Sequence, residues 1–245
     1  MPIYDPNHVE YQITTGHIHI ATESGGQVPA YWAHPNIGSK LPAIALIHDW
    51  WGITPLVRRM ANHFAQTGYY VIVPDMFDGK VAANPQEAME LVERLADQGF
   101  VRVDTALSVL EKHHHTNSKV AAVGLGMGGS LAFESAIVRP DLEAAVAYSG
   151  FPQRYLGRFK EANTPILAFY GSEEPHIPRS VIERLREEFK QSVKAQHDIV
   201  LCEGLGHDLF AEDLSDALRD AGRMALRRTF AFLETYVGGP TKPTH

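Results

Sequence analysis

A carboxylate, Glu174, and an imidazole, His207, stand late in the chain, each shortly after an apolar run. Such a pair can hold and use a proton: the carboxylate orients the ring, and the ring acts as general base on an attacking group. Upstream lies Val120-Ala-Ala-Val-Gly124-Leu-Gly126-Met-Gly128-Gly129, which reads as a buried strand, a tight turn and the start of a helix. A nucleophile is presented on such a turn when small residues flank it, because strand and helix must approach closely. Gly124, Gly128 and Gly129 are the small flanks, and Gly126 between them has no side chain. The set amounts to the frame, acid and base of an acyl-transfer site without the attacking atom.

Two other readings of the turn compete. Gly124-x-Gly126-x-x-Gly129 also matches a dinucleotide fingerprint, with Asp141 or Glu143 at about the distance of a ribose contact. That fingerprint normally belongs to the first strand-helix-strand unit, whereas several strands precede this one. The plainest reading is a turn that needs glycine for backbone reasons alone. Ser149, at a strand end, and Ser130, in the helix, are substitute nucleophiles to weigh against ordinary structural serines. Cys202 reads as a buried small hydrophobe. His113-His-His115 suits a helix C-terminus better than a metal, since three successive residues cannot all face one ion. His17 and His19 share a strand face without a third ligand. No metal and no cofactor are expected.

The elements that must position these groups are legible from periodicity. Residues 9 to 35 read as β structure, with His17 to Ala21 alternating, a turn at Glu23-Ser-Gly-Gly26 and a return from Val28 to Ala33. Short runs that are apolar throughout follow at 41–47, 69–73, 120–123, 144–148 and 166–170, with a further strand around 199–202. Strands apolar on both faces belong in a parallel sheet covered by helices. Helical segments fall between them: one starting at Asn84-Pro-Gln-Glu87, with a capping box, one marked by Val103, Ala106, Leu107 and Leu110, and two at 179–191 and 215–237. The expected architecture is a single α/β domain over 1–245, with a mostly parallel central sheet flanked by helices, an N-terminal β-hairpin, no large cap and a loose tail at 238–245.

Composition sets outer limits. The formal charge of −7 disfavours a nucleic-acid surface, and one cysteine rules out an intrachain disulfide. The first residues lack the pattern of a secretory signal, and no apolar stretch approaches the roughly 20 residues of a membrane span, so a cytoplasmic location is expected. Oligomeric state is left open.

Four stretches carry a family resemblance: His48-Asp-Trp-Trp-Gly52, Val73-Pro-Asp-Met-Phe77, the elbow Gly124-Leu-Gly126-Met-Gly128-Gly129, and Glu203-Gly-Leu-Gly-His207. In these the chain resembles the dienelactone hydrolase family over most of residues 40 to 237. The resemblance implies an α/β-hydrolase fold and a cysteine-histidine-aspartate triad that opens small ester or lactone bonds. Gly126 takes the cysteine's place, Glu174 the aspartate's, with Glu173 the weaker candidate, and Asp49 that of a glutamate beside the thiol. The backbone N–H groups of Trp50 and Met127 are the oxyanion donors by position, and Trp51 and Ser149 fall at the substrate pocket. Arginines that hold a substrate carboxylate in that family have no counterpart after Asp75 or after His207, where Ala211 and Glu212 follow.

Two functions follow. The first is a hydrolase of small esters or lactones with a degenerate triad, in which His207 activates water and Asp49 helps to position it. The second is a non-catalytic relative that binds a small apolar ligand or a partner through the old pocket. The retained Glu174 and His207 favour the first, because binding alone needs no poised base.

Overall fold

The computed structural model describes residues 10–22 and 25–239. The expected tail from 240 onward, and Glu23 and Ser24 of the first turn, lie outside the described residues. Eight strands form one sheet: β1 (Ile13–Ala21), β2 (Gln27–Pro35), β3 (Leu41–Ile47), β4 (Tyr70–Pro74), β5 (Thr116–Leu125), β6 (Ala144–Tyr148), β7 (Ile166–Gly171) and β8 (His197–Cys202). Their order is β1-β2-β4-β3-β5-β6-β7-β8. The first two strands form the antiparallel hairpin, in register from Ile13 opposite Pro35 to Ala21 opposite Gln27. The second joins the sheet antiparallel to β4, and all later pairings are parallel.

Among the described residues six α-helices cover the sheet: α1 (Pro55–Gln66), α2 (Pro85–Leu95), α3 (Gln98–Lys112), α4 (Met127–Val138), α5 (Arg179–Gln191) and α6 (Asp216–Tyr236). The two-residue period of a strand divides the core into two layers. In β3, Ala43, Ala45 and Ile47 face the layer built with α2, α3, α4 and α5, whereas Ile44 and Leu46 face the layer built with α1 and α6. Both faces of the central strands are thus dry, which is why those segments are apolar without alternation. Among the described residues no helix is long and apolar enough to cross a membrane.

Local signals account for most boundaries. Asn84 caps α2 by accepting from the Glu87 amide at 3.0 Å. The Glu87 carboxylate reaches back to the amide of Ala83, one residue before the cap, at 2.9 Å. The first helix was not anticipated, although Thr54-Pro55 carries the same kind of start signal as Asn84-Pro85, and Thr54 accepts from the Val57 amide at 3.4 Å. The fifth strand begins four residues earlier than its apolar run, because its polar start pairs with β3 at Leu41 opposite Thr116.

Candidate active site

The loops after β3, β5, β7 and β8 converge at the C-terminal ends of the parallel strands, where open α/β sheets place their ligands. The elbow joins β5 to α4 through Gly126, whose φ of +51° is a conformation that glycine adopts without steric cost. Its amide donates to the Tyr148 carbonyl at 2.8 Å. The neighbouring glycines serve a different purpose. A Cβ on Gly124 would lie 2.0 Å from the Gly128 carbonyl oxygen, and one on Gly128 would lie 2.3 Å from that of Ile47. These positions are closed by backbone. Gly126 is open: a Cβ there would meet nothing nearer than Asp49 Cβ at 3.5 Å and His207 Nε2 at 3.6 Å. Room for a side chain persists where none is present, and the imidazole faces it.

Glu174 and His207 come within hydrogen-bonding distance of each other. His207 Nδ1 lies 3.0 and 2.9 Å from the two carboxylate oxygens of Glu174. The Glu174 side chain is only 2 % exposed, against 26 % for His207. Burial pushes the Glu174 carboxyl up, but the hydrogen bonds from His207 and from the His176 amide hold it below the usual range. An ionised carboxylate at Nδ1 favours the tautomer with its proton on Nδ1, leaving Nε2 free to accept a proton toward the open space. Glu173, the weaker candidate, is exposed.

Asp49 completes the third side of the space. Its carboxylate accepts from the Trp51 amide at 2.9 Å. Burial raises its pKa to about 6, with the Asp208 charge adding to the rise, and the Trp51 amide and His207 opposing it. The loop that carries it is pinned by His48, which is fully buried: Nδ1 donates to the Asp49 carbonyl at 2.6 Å and Nε2 accepts from the Met76 amide at 3.0 Å. Both ring nitrogens are thereby assigned in a neutral imidazole, and burial lowers its pKa accordingly.

A cavity of about 590 Å³ opens over these groups, within the range of small-ligand sites. Asp49, Trp50, Trp51, Gly126, Met127 and His207 all line it. Met127 is the first residue of α4, where the amide has no acceptor within the helix. Ser149 does not reach the cavity. It is buried, and its hydroxyl donates to the His207 carbonyl at 2.6 Å, so it braces the histidine loop instead of lining the pocket. Ser130 is likewise occupied, accepting from the Phe151 amide at 2.9 Å. Cys202 is buried, with its thiol pushed up to about 11.

Four contributors escaped the sequence reading. His176 and Phe151 flank the His207 ring, with centroids 5.0 and 5.4 Å away. Asp208 lines the cavity one residue after the histidine. Gly171 allows β7 to meet the histidine loop, since a Cβ there would lie 2.0 Å from the Leu205 carbonyl oxygen. A clue was present in their short offsets from Glu174, Ser149 and His207. Of the two ribose-contact candidates of the dinucleotide reading, Asp141 is paired with Arg139 at 2.9 Å. The rings of His113, His114 and His115 lie tilted against one another at the opposite ends of the strands, and among the described residues no group of three His, Cys, Asp or Glu is placed to hold a metal ion.

Known proteins are similar to this chain in sequence and fold. The sequence model of the dienelactone hydrolase family matches residues 28–237. Protein usf of Aquifex pyrophilus is 28% identical over 228 residues, covering 88% of this chain and 96% of that protein. A provisionally named carboxymethylenebutenolidase of Yersinia pestis is 26% identical over 204 residues, covering 77% of this chain and 76% of its own length. The crystal structure of a provisionally assigned dienelactone hydrolase from Klebsiella pneumoniae superposes with a TM-score of 0.81 at 24% identity, over 92% of this chain and all of the other. With a match spanning the parallel strands, the elbow and the histidine loop, the chain belongs to the dienelactone hydrolase family.

Proposed function

We propose that the cavity hydrolyses small ester or lactone bonds by direct attack of water. His207 Nε2 removes a proton from water held beside Gly126, and the hydroxide adds to the carbonyl carbon. The resulting oxyanion is received by the amides of Trp50 and Met127. On collapse, the bond to the leaving alkoxide breaks, and His207 returns the proton to that oxygen. Glu174 keeps the ring in the required tautomer, and Asp49 helps to place the water. The observation that carries this reading is the open space at Gly126, faced by His207 Nε2 at 3.6 Å from a Cβ position. Donors of an oxyanion hole retain value without a nucleophile, with a residual acceleration of roughly 10³–10⁴ over water in a broken triad.

The test is hydrolysis of a panel of aryl esters and lactones by the protein, by His207→Ala and by Gly126→Cys. The expected result is slow turnover that His207→Ala lowers by about 10²–10⁴-fold, the usual worth of a general base. Turnover unchanged in His207→Ala overturns the mechanism. Activity confined to Gly126→Cys favours the second reading, a pocket that binds a small apolar ligand without chemistry. The absent side chain at Gly126 is the observation on its side.

A further inference from the structure

The walls of the cavity carry an uneven charge. Its ionisable lining groups are Asp49, Tyr148, His176, His207 and Asp208, and no lysine or arginine is among them. Among the described residues neither Asp49 nor Asp208 has a cationic ion-pair partner: Asp49 accepts from the Trp51 amide and Asp208 from the Phe210 amide at 3.3 Å. On the adjoining surface, Arg59 is tied to Glu212. Five aromatic rings complete the lining, those of Trp50, Trp51, Tyr148, Phe151 and Phe210.

We infer that this pocket selects ligands that bear an organic cation, a substituted ammonium group on an apolar body, and rejects those that bear a carboxylate. The inference rests on reading this cavity as the functional site. Aromatic faces attract an ammonium group through the ring quadrupole, and they do so most strongly where water is excluded. Unpaired carboxylates at the same cavity supply the opposite charge. The whole chain, at a formal charge of −7, adds a field of the same sign. An anionic substrate would meet two carboxylates and no guanidinium.

Asp49 gives the inference a second handle. Its partial burial without a counterion keeps it protonated up to about pH 6. A bound cation favours the ionised form, so binding releases a proton near that pH and tightens as pH rises through it. The groups that face Asp49 are Asp208 and His207 from the loop after β8 and the Trp51 amide from its own loop.

The experiment is binding without turnover, followed by tryptophan fluorescence and calorimetry, with three probes of similar shape: phenyltrimethylammonium, tert-butylbenzene and benzoate. The expected order is cation over neutral by about tenfold, equal to 1.4 kcal/mol, with benzoate weakest. Cation affinity rises between pH 5 and pH 7.5, and Asp208→Asn narrows the preference while Asp49→Asn lessens its pH dependence. Equal binding of the cation and tert-butylbenzene, or stronger binding of benzoate, overturns the inference. Because the readout needs no catalysis, the two readings fail separately. Cation preference without ester hydrolysis sinks the proposed reaction alone, and hydrolysis without charge preference sinks this inference alone.

Discussion

The elbow and the histidine loop face each other across one cavity, and both are closed by glycine, yet they relate structure to chemistry in opposite ways. At the elbow, the strand-to-helix turn is locked by Gly124 and Gly128 against backbone carbonyls, contacts in which the apex residue takes no part. The apex can therefore lose its side chain and leave the turn intact. At the histidine loop, Gly171 provides a similar close approach, but His207, the proposed base, is itself a structural tie. His207 is held at its ring by Glu174 and at its carbonyl by Ser149. Chemistry is separable from folding in the first loop and bound up with it in the second. The apex of such a turn can lack a side chain while the hydrogen-bonded Glu174–His207 pair is in place.

The largest effect that can break this comparison is expected within the elbow. Gly124→Ala drives a Cβ into the Gly128 carbonyl, with backbone on both sides, and should cost more than about 4 kcal/mol by urea denaturation, or prevent folding. Gly126→Ala meets no such contact and pays only for its positive φ, about 1–2 kcal/mol. Equal losses in the two variants would show that the apex is part of the lock after all.

The next effect concerns Asp49, which stands between the two loops. Its folded pKa is raised to about 6, above the value near 4 of an exposed aspartate. Between these values the folded state binds more protons than the unfolded chain, so this group lowers stability as pH rises, with the full deficit above pH 6. Asp49→Asn keeps the acceptor for the Trp51 amide and removes the charge. It should raise stability by up to about 3 kcal/mol at pH 8 and leave it nearly unchanged at pH 4, measured by urea denaturation at both. A gain of similar size at pH 4 would place its origin elsewhere than in the charge.

The smallest effect sharpens the other side. Ser149→Ala removes the donor to the His207 carbonyl and should cost about 1–2 kcal/mol. If the histidine loop is held by its reactive residue, ester turnover should fall along with stability. An unchanged rate would separate the brace from the base.

Much of this arrangement was legible beforehand, and the reasons are local. The strands at 41–47 and 144–148 were readable to the residue because dry sheet faces demand unbroken apolar runs. Glu174 and His207 were readable from their places after two such runs. Less of the cavity could be read. Ser149 was expected in it and turned out to be a brace, because the direction of a hydroxyl at a strand end depends on which loop crosses it. His176 and Asp208 were overlooked, since a polar residue in a loop declares no orientation until neighbouring loops fold over it.

By itself, then, the sequence determined the layered α/β frame, the turn with no side chain at its apex and the chain order of acid and base. Each of these is written in patterns a few residues long, where periodicity and glycine act on the backbone nearby. Only the tertiary structure decided which glycines are closed and which is open, that an imidazole faces the open one, and that two carboxylates without counterions share its cavity. Those facts depend on which distant backbones and charges come within a few ångströms, and separation along the chain carries no record of that distance.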